Sequence, residues 1–339
     1  MRVLLVNYEY PPFGGGAGNA TQEIGRTLAR MGHTVTVLAR RTGQTTDADA
    51  AWPFEVVRVR GRSWGRLQGL WMALAAWPRL DAQTRVICAT WRLATGIAHS
   101  LRGAQLGVAF HGSDLTRLTA APAGLERVVK AAAALLPVSG FLADELARLL
   151  PEAALPITVL PMPIAHPPEP SGPRRSALVF LARLTPLKGV DRAIHIARAL
   201  DRELVIIGDG EALPALQQLA DGAAVTFTGR LPRPQAMAHL ERAAAILLLP
   251  RLDGDGTGAE GLGLCLIEAA LRQTPAIGCA TGGVPEAIGP GLLLADPDRP
   301  DLDAIATLLA DPEAGHRARA HALARHGPAA ALAALQAAL

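Results

Sequence analysis

Residues 2–39 read RVLLVNYEYPPFGGGAGNATQEIGRTLARMGHTVTVLA, and the spacing of apolar side chains in this stretch decides the fold class. Residues 2–7 form a short, nearly continuous apolar run, the signature of a strand covered on both faces in a parallel sheet. Residues 11–18 follow as a glycine-rich loop. Ala20, Ile24, Leu28 and Met31 then recur at helical spacing, and Gly32 stands where a helix C-cap belongs. Residues 33–39 return to a strand. A strand, a crossover helix and a second strand of the same kind predict a βαβ unit.

Further strands are predicted at 85–90, 105–110 and 135–138. Alternation of this kind specifies a parallel sheet with helices on both faces. The run PMPIAHPPEPSGP at 161–173 interrupts it, because so many prolines exclude helix and central strand. Alternation then resumes, with strands at 177–181, 203–207, 224–228, 246–249 and 276–280. Helices are predicted at 190–200 and 211–219, from Pro234, and from about Leu264. Two Rossmann-like αβα domains are expected: an N-terminal one over 1–165, a proline-rich linker at 166–175, and a C-terminal one over 176–325. A last helix over 326–339 is expected to pack back on the first domain.

Composition limits the function. Half of the 339 residues are apolar, and a net charge of +3 lacks the concentrated basic surface of a nucleic-acid binder. Cys88, Cys265 and Cys279 are odd in number and far apart, matching neither a disulfide framework nor a zinc site. The apolar run 1–6 is too short for a signal peptide and no run could span a bilayer. The expectation is a cytoplasmic protein.

In open α/β sheets ligands sit at the carboxyl ends of the strands, and five features fall there. Gly14-Gly15-Gly16-Ala17-Gly18 lets backbone amides approach an anion at a helix start, although it matches neither G-x-G-x-x-G nor a Walker loop. His111-Gly112-Ser113-Asp114 follows the strand ending at Phe110, and its imidazole can bond a hydroxyl or phosphate. Arg183 and Lys188 are two cations five residues apart, suited to a diphosphate leaving group. Glu260-Gly-Leu-Gly263-Leu264-Cys-Leu-Ile-Glu268 brackets a glycine turn with two carboxylates. In it Gly263 and Leu264 offer amides to a diphosphate, Glu260 reaches a sugar, and Glu268 accepts from a ribose diol. Gly282-Gly283-Val284-Pro285-Glu286 supplies a further tight turn.

With these features in order, the chain resembles the retaining glycosyltransferases of family four, which have the GT-B architecture of two Rossmann-like domains facing each other across a cleft. The resemblance runs from Gly14 to Glu286. It implies that Arg183 and Lys188 hold the donor diphosphate, that Glu260 contacts the donor sugar and that Glu268 holds the ribose. It also implies that His111 lies near the transferred sugar, that the Gly15–Gly16 loop closes over the phosphates, and that Gly229 and Arg230 meet the nucleobase. Front-face transfer with retention follows from it, the departing phosphate taking the acceptor proton. The implied activity is sugar transfer from a nucleoside-diphosphate sugar to a sugar or lipid-linked acceptor in cell-envelope polysaccharide or glycolipid synthesis. Neither metal nor cofactor is implied, since Asp253-Gly254-Asp255 reads as loop rather than as a metal-binding D-x-D. Two departures stand out: Pro161-Met162-Pro163-Ile164 replaces the family's Pro-Asn-Gly-Val, and the loop 251–259 is long.

All five tryptophans lie between Trp52 and Trp91. Arg58, Arg60, Arg62, Arg66 and Arg79 fall in the acid-free stretch 58–80. Such a segment suits peripheral contact with anionic lipid on the inner face of a membrane. The competing reading is a helix at 67–77 packed on the sheet, with solvated arginines beside it. Two other functions stay open at the level of sequence: a sugar-nucleotide epimerase with this fold, and a catalytically inactive sugar-nucleotide-binding or scaffold protein.

Overall fold

The computed structural model describes the chain except residues 12–14, 42–48, 50–51, 61–65, 116–117, 119–120, 163, 165–166, 171–175, 253–258 and 339. It divides into two compact units, one of Met1–Ala165 with His326–Leu339, the other of His166–Arg325.

In the first unit the order is β1 (Arg2–Asn7), α1 (Gly16–Arg30), β2 (Thr34–Arg40), β3 (Glu55–Val59), α2 (Arg66–Ala76), β4 (Thr84–Cys88), α3 (Trp91–Ile97), β5 (Gln105–Phe110), α4 (Gly112–Leu115), α5 (Ala123–Ala131), β6 (Ala134–Pro137) and α6 (Gly140–Leu149). Its sheet runs β3-β2-β1-β4-β5-β6, every pairing parallel. Val3–Val6 and 106–110 are buried, as strands covered by helices on both faces must be. β3 was not predicted, because an edge strand with a charged residue near each end shows no continuous apolar run.

The second unit comprises β7 (Leu178–Leu181), α7 (Val190–Ala199), β8 (Leu204–Ile207), α8 (Leu213–Leu219), β9 (Val225–Gly229), α9 (Arg233–Arg242), β10 (Ala245–Leu248), α10 (Leu264–Ala270), β11 (Ala276–Cys279), α11 (Val284–Ile288), β12 (Leu292–Leu294), α12 (Leu302–Ala310) and most of α13 (Ala314–His326). Its parallel sheet runs β12-β11-β10-β7-β8-β9. From β7 the chain winds outward through β8 and β9, then crosses back to β10 on the other side. The order therefore reverses between β7 and β10, and the loops leaving their carboxyl ends diverge there to leave a crevice. The last helix, α14 (Pro328–Ala338), lies against α1 in the first unit. Of the linker, residues 167–170 are described and carry neither helix nor strand.

Candidate functional site

The loops at the switch point of the second sheet are held by backbone contacts that only glycine permits. Gly189, with φ +69°, ends the single 3-10 turn Pro186–Lys188, and a Cβ there would come within 1.9 Å of the Leu249 carbonyl oxygen. Arg251 N–H also donates to the Leu187 carbonyl at 2.8 Å. The loop carrying Lys188 is thus stitched to the end of β10. On the other side, Gly282 (φ +59°) and Gly283 lie under the turn at 260–262. Their Cβ positions would fall 2.1 Å from the Glu260 oxygen and 2.3 Å from the Gly261 oxygen. Gly283 N–H donates to the Glu260 carbonyl at 2.8 Å.

These restraints bring Lys188 and Glu260 together. Lys188 Nζ donates to Glu260 Oε2 at 2.5 Å, both side chains being partly buried. Gly263 adopts φ +87° as the N-cap of α10, so the chain turns sharply at Gly263-Leu264 before the helix. Glu268, one turn inside α10, is 7% exposed. The Cys265 thiol lies among these groups. Burial raises its pKa, and the Glu260 and Glu268 carboxylates push it further while Lys188 opposes them. A thiol so placed stays protonated and takes no nucleophilic role.

Arg183 is exposed between β7 and the 3-10 turn, and has no ion-pair partner among the described residues. Gly229, with φ +68°, closes β9 and accepts from Gly208 N–H at 3.0 Å, with exposed Arg230 after it. Sequence reasoning passed over Arg233. It is the first residue of α9, and its Nη1 lies 2.6 Å from Glu268 Oε1. A signal for it existed: a cation in the first turn of a helix opposes the macrodipole unless a carboxylate compensates.

In the first unit Gly15 is the N-cap of α1 and Gly16 its first residue, while Gly14 lies outside the described residues. The helix start is fixed from below. Asn7 Nδ2 donates to the Ala17 carbonyl at 3.1 Å and to Thr21 Oγ1 at 2.7 Å, and a Cβ on Gly18 would sit 1.8 Å from the Glu9 oxygen. The first-turn amides of α1 thus face outward from a rigid base. His111 follows β5 and lines a small cavity with Ala17, Thr21, Ile87 and Met162. Burial lowers its pKa to about 4, so the ring is neutral and can both donate and accept.

Asp114, which sequence reasoning left aside, is 2% exposed. It accepts from His111 N–H at 3.1 Å and from Arg92 Nη1 at 3.0 Å. Burial lifts its pKa to about 7 against the opposing pull of both partners.

No helix among the described residues is long and apolar enough to cross a membrane. Asp253 and Asp255 lie outside the described residues.

Comparison with known proteins gives the same reading. Residues 14–166 match the model described as Glycosyltransferase Family 4, and residues 175–311 that described as Glycosyl transferases group 1. A GDP-mannose-dependent alpha-(1-6)-phosphatidylinositol monomannoside mannosyltransferase of Mycobacterium tuberculosis is 28% identical over 326 residues, covering 85% of this chain and 82% of that one. Its namesake in Mycolicibacterium smegmatis is 37% identical over 151 residues, a match spanning 41% of this chain and 40% of the relative. A glycogen synthase of M. tuberculosis is 28% identical over 94% of this chain and 88% of its own. Among solved structures, Staphylococcus aureus TarM superposes with a TM-score of 0.78 at 10% identity, each chain 99% covered. Anabaena HepE in complex with UDP and glucose gives 0.72 at 17%, both chains fully covered. At those identities the superpositions show the fold alone, a two-domain α/β fold of the GT-B type.

Proposed function

The chain belongs to glycosyltransferase family 4, and from that premise we propose that it transfers a sugar, with retention, from a nucleoside-diphosphate sugar to a sugar or lipid-linked acceptor of the cell envelope. The observation that carries this reading is the grouping of Lys188, Glu260 and Glu268 where the strand order of the second unit reverses. Lys188, fixed by Glu260, and the exposed guanidinium of Arg183 supply the positive charge that a departing diphosphate needs as its glycosidic bond breaks. The amides of Gly263 and Leu264 add donors at the same point. Glu260 also reaches the donor sugar. Glu268, with Oε1 engaged by Arg233, keeps Oε2 for a ribose hydroxyl, and the turn at Gly229-Arg230 meets the base.

The neutral His111 ring and the Gly15–Gly16 helix start serve the transferred sugar and its phosphates. GDP-mannose is the first donor to try, because the mannosyltransferase matched over most of both chains uses it by name. A lipid-linked acceptor would bring the first unit to the inner face of the membrane.

Thermal shift with UDP, GDP, ADP and NAD tests the reading, since a ligand that binds only the folded state raises its melting temperature. One nucleoside diphosphate is expected to stabilise the protein, and Glu268→Ala and Lys188→Ala to abolish the effect. Stabilisation by NAD alone, or by no nucleotide, would overturn it. Incubation with the sugar conjugate of the bound nucleotide then separates a transferase from an epimerase or an inactive binder.

A further inference from the structure

The helix α2 is apolar on two faces. Its inner face carries Gly69, Met72, Ala73 and Ala76 and packs on α3. Met72 and Ala76 are fully buried, and a Cβ on Gly96 of α3 would come within 2.7 Å of the Gly69 oxygen. The opposite face is unpartnered. Leu70 is 52% exposed, Trp71 47%, Leu74 54% and Trp77, just past the helix end, 49%. Positions 70, 71, 74 and 77 share one side of a helix. They are half of the eight large apolar side chains exposed among the described residues.

The unpaired charge described beside this face is basic. Residues 56–80 contain no acid. The two flanking carboxylates are engaged, Glu55 with Arg79 at 3.6 Å and Asp81 with Arg2. Arg102 is exposed, stacks its guanidinium 5.1 Å from the centre of the Trp77 ring, and has no carboxylate partner among the described residues. Arg58 takes no part: it turns inward, paired with Asp49 at 2.7 Å and stacked on Tyr10. Arg62 and the side chain of Arg66 lie outside the described residues.

From this we infer that the outer face of α2 docks on the interfacial region of a bilayer containing anionic phospholipid. Indole rings settle at the headgroup level, where the apolar body and the N–H are both satisfied. Leu70 and Leu74 would enter the acyl boundary, while the unpaired Arg102 meets lipid phosphate. A second copy of the chain fits the face less well. Four half-exposed side chains offer roughly 100 Å² each, so a symmetric pair would bury about 800 Å², below the ~1,200 Å² of stable interfaces. The inference goes beyond the transfer reaction and does not depend on which donor is used.

Flotation of the full chain with phosphatidylcholine vesicles, with and without phosphatidylglycerol, tests it. The protein is expected to float with the anionic vesicles and to bind the neutral ones about fivefold less well, as ~1 kcal/mol for one basic residue implies. Leu74→Glu, at an exposed position that folding does not require, is expected to cut binding at least tenfold with an unchanged melting temperature. Arg102→Glu is expected to remove the preference for anionic lipid. Failure of the unaltered chain to float, or undiminished flotation of Leu74→Glu, would overturn the inference. So would a dimer in sizing chromatography that Leu74→Glu converts to monomer, which would give the face to a second copy. Nucleotide thermal shifts on Leu74→Glu read the donor site separately, so either conclusion can fail without the other.

Discussion

Arg233 Nη1 sits 2.6 Å from Glu268 Oε1, joining the first turn of α9 to a residue one turn inside α10 at the carboxyl end of the second sheet. The carboxylate is nearly buried, whereas the guanidinium is 39% exposed. Arg233 therefore fixes which Glu268 oxygen is available to a ligand. Removing it leaves a carboxylate without its partner and free to rotate. Solvent still reaches the pair, so the expected cost is about 1 kcal/mol of stability rather than that of a fully buried pair. Arg233→Ala should raise the donor KM roughly tenfold with kcat changed much less, and Arg233→Lys should restore only part of it. A drop in kcat with KM unchanged would show that Arg233 does not act through donor binding.

Lys188 and Glu260 form the second pair, and each is expected to matter through the other. Lys188→Ala should lower kcat by about 10²-fold, the usual loss when a donor to developing negative charge is removed. Glu260→Gln keeps the shape but frees the ammonium. Because Glu260 also reaches the donor sugar, the double variant should be worse than Lys188→Ala alone but by less than the two single losses combined, a departure from additivity read directly from kcat/KM. Additive losses would show two independent roles.

Much of this was legible in the sequence. Continuous apolar runs marked β1, β5 and β10 because strands buried on both faces need them, and the glycines at 263, 282 and 283 marked tight turns. The pairing of Glu268 with Arg233 was not legible as a contact, since the two lie 35 positions apart and meet only because β9 and β10 lie on opposite sides of β7. Asp114 was hidden for another reason. A single acid after a strand reads as a solvated turn residue, and only the packing of Trp91, whose indole N–H donates to the Asp114 carbonyl at 3.3 Å, shows it to be covered. The face of α2 was half legible. Its tryptophans and arginines were visible, but Arg58 turned out to face inward.

Gly282 carries a further prediction. Its φ of +59° costs an alanine roughly 1 kcal/mol, and the Cβ would collide with the Glu260 carbonyl at 2.1 Å. Backbone must move, so Gly282→Ala should lower stability by about 2–3 kcal/mol in total and displace Glu260 from Lys188. Denaturant unfolding together with the kinetic assay checks this. Gly222→Ala is the control: it has a similar φ of +71° with open space around it, and should show the strain alone without loss of activity.

His111 and Asp114 make opposite contributions to stability against pH. The folded pKa of His111 is depressed from 6.5 to about 4, so below pH 6.5 the unfolded chain takes a proton that the folded one refuses. Its contribution is fully present above 6.5 and is lost as pH falls toward 4. The folded pKa of Asp114 is raised from 3.8 to about 7, so the folded chain holds a proton that the unfolded one has released. Its contribution is greatest below 3.8 and is lost as pH rises through 7. Between about pH 4 and pH 6.5 the two slopes oppose and nearly cancel. Removing one group should expose the other. Relative to the unaltered chain, His111→Gln should lose stability as pH rises through this window, by up to about 1.4 kcal/mol per unit. Asp114→Asn should gain by a similar amount. Urea unfolding at three pH values within the window, with the unaltered chain subtracted to remove the remaining titrating groups, reads both slopes. Parallel profiles for all three proteins would show that neither group is held away from its ordinary pKa, and would remove the basis for the lowered pKa of His111 and the raised pKa of Asp114.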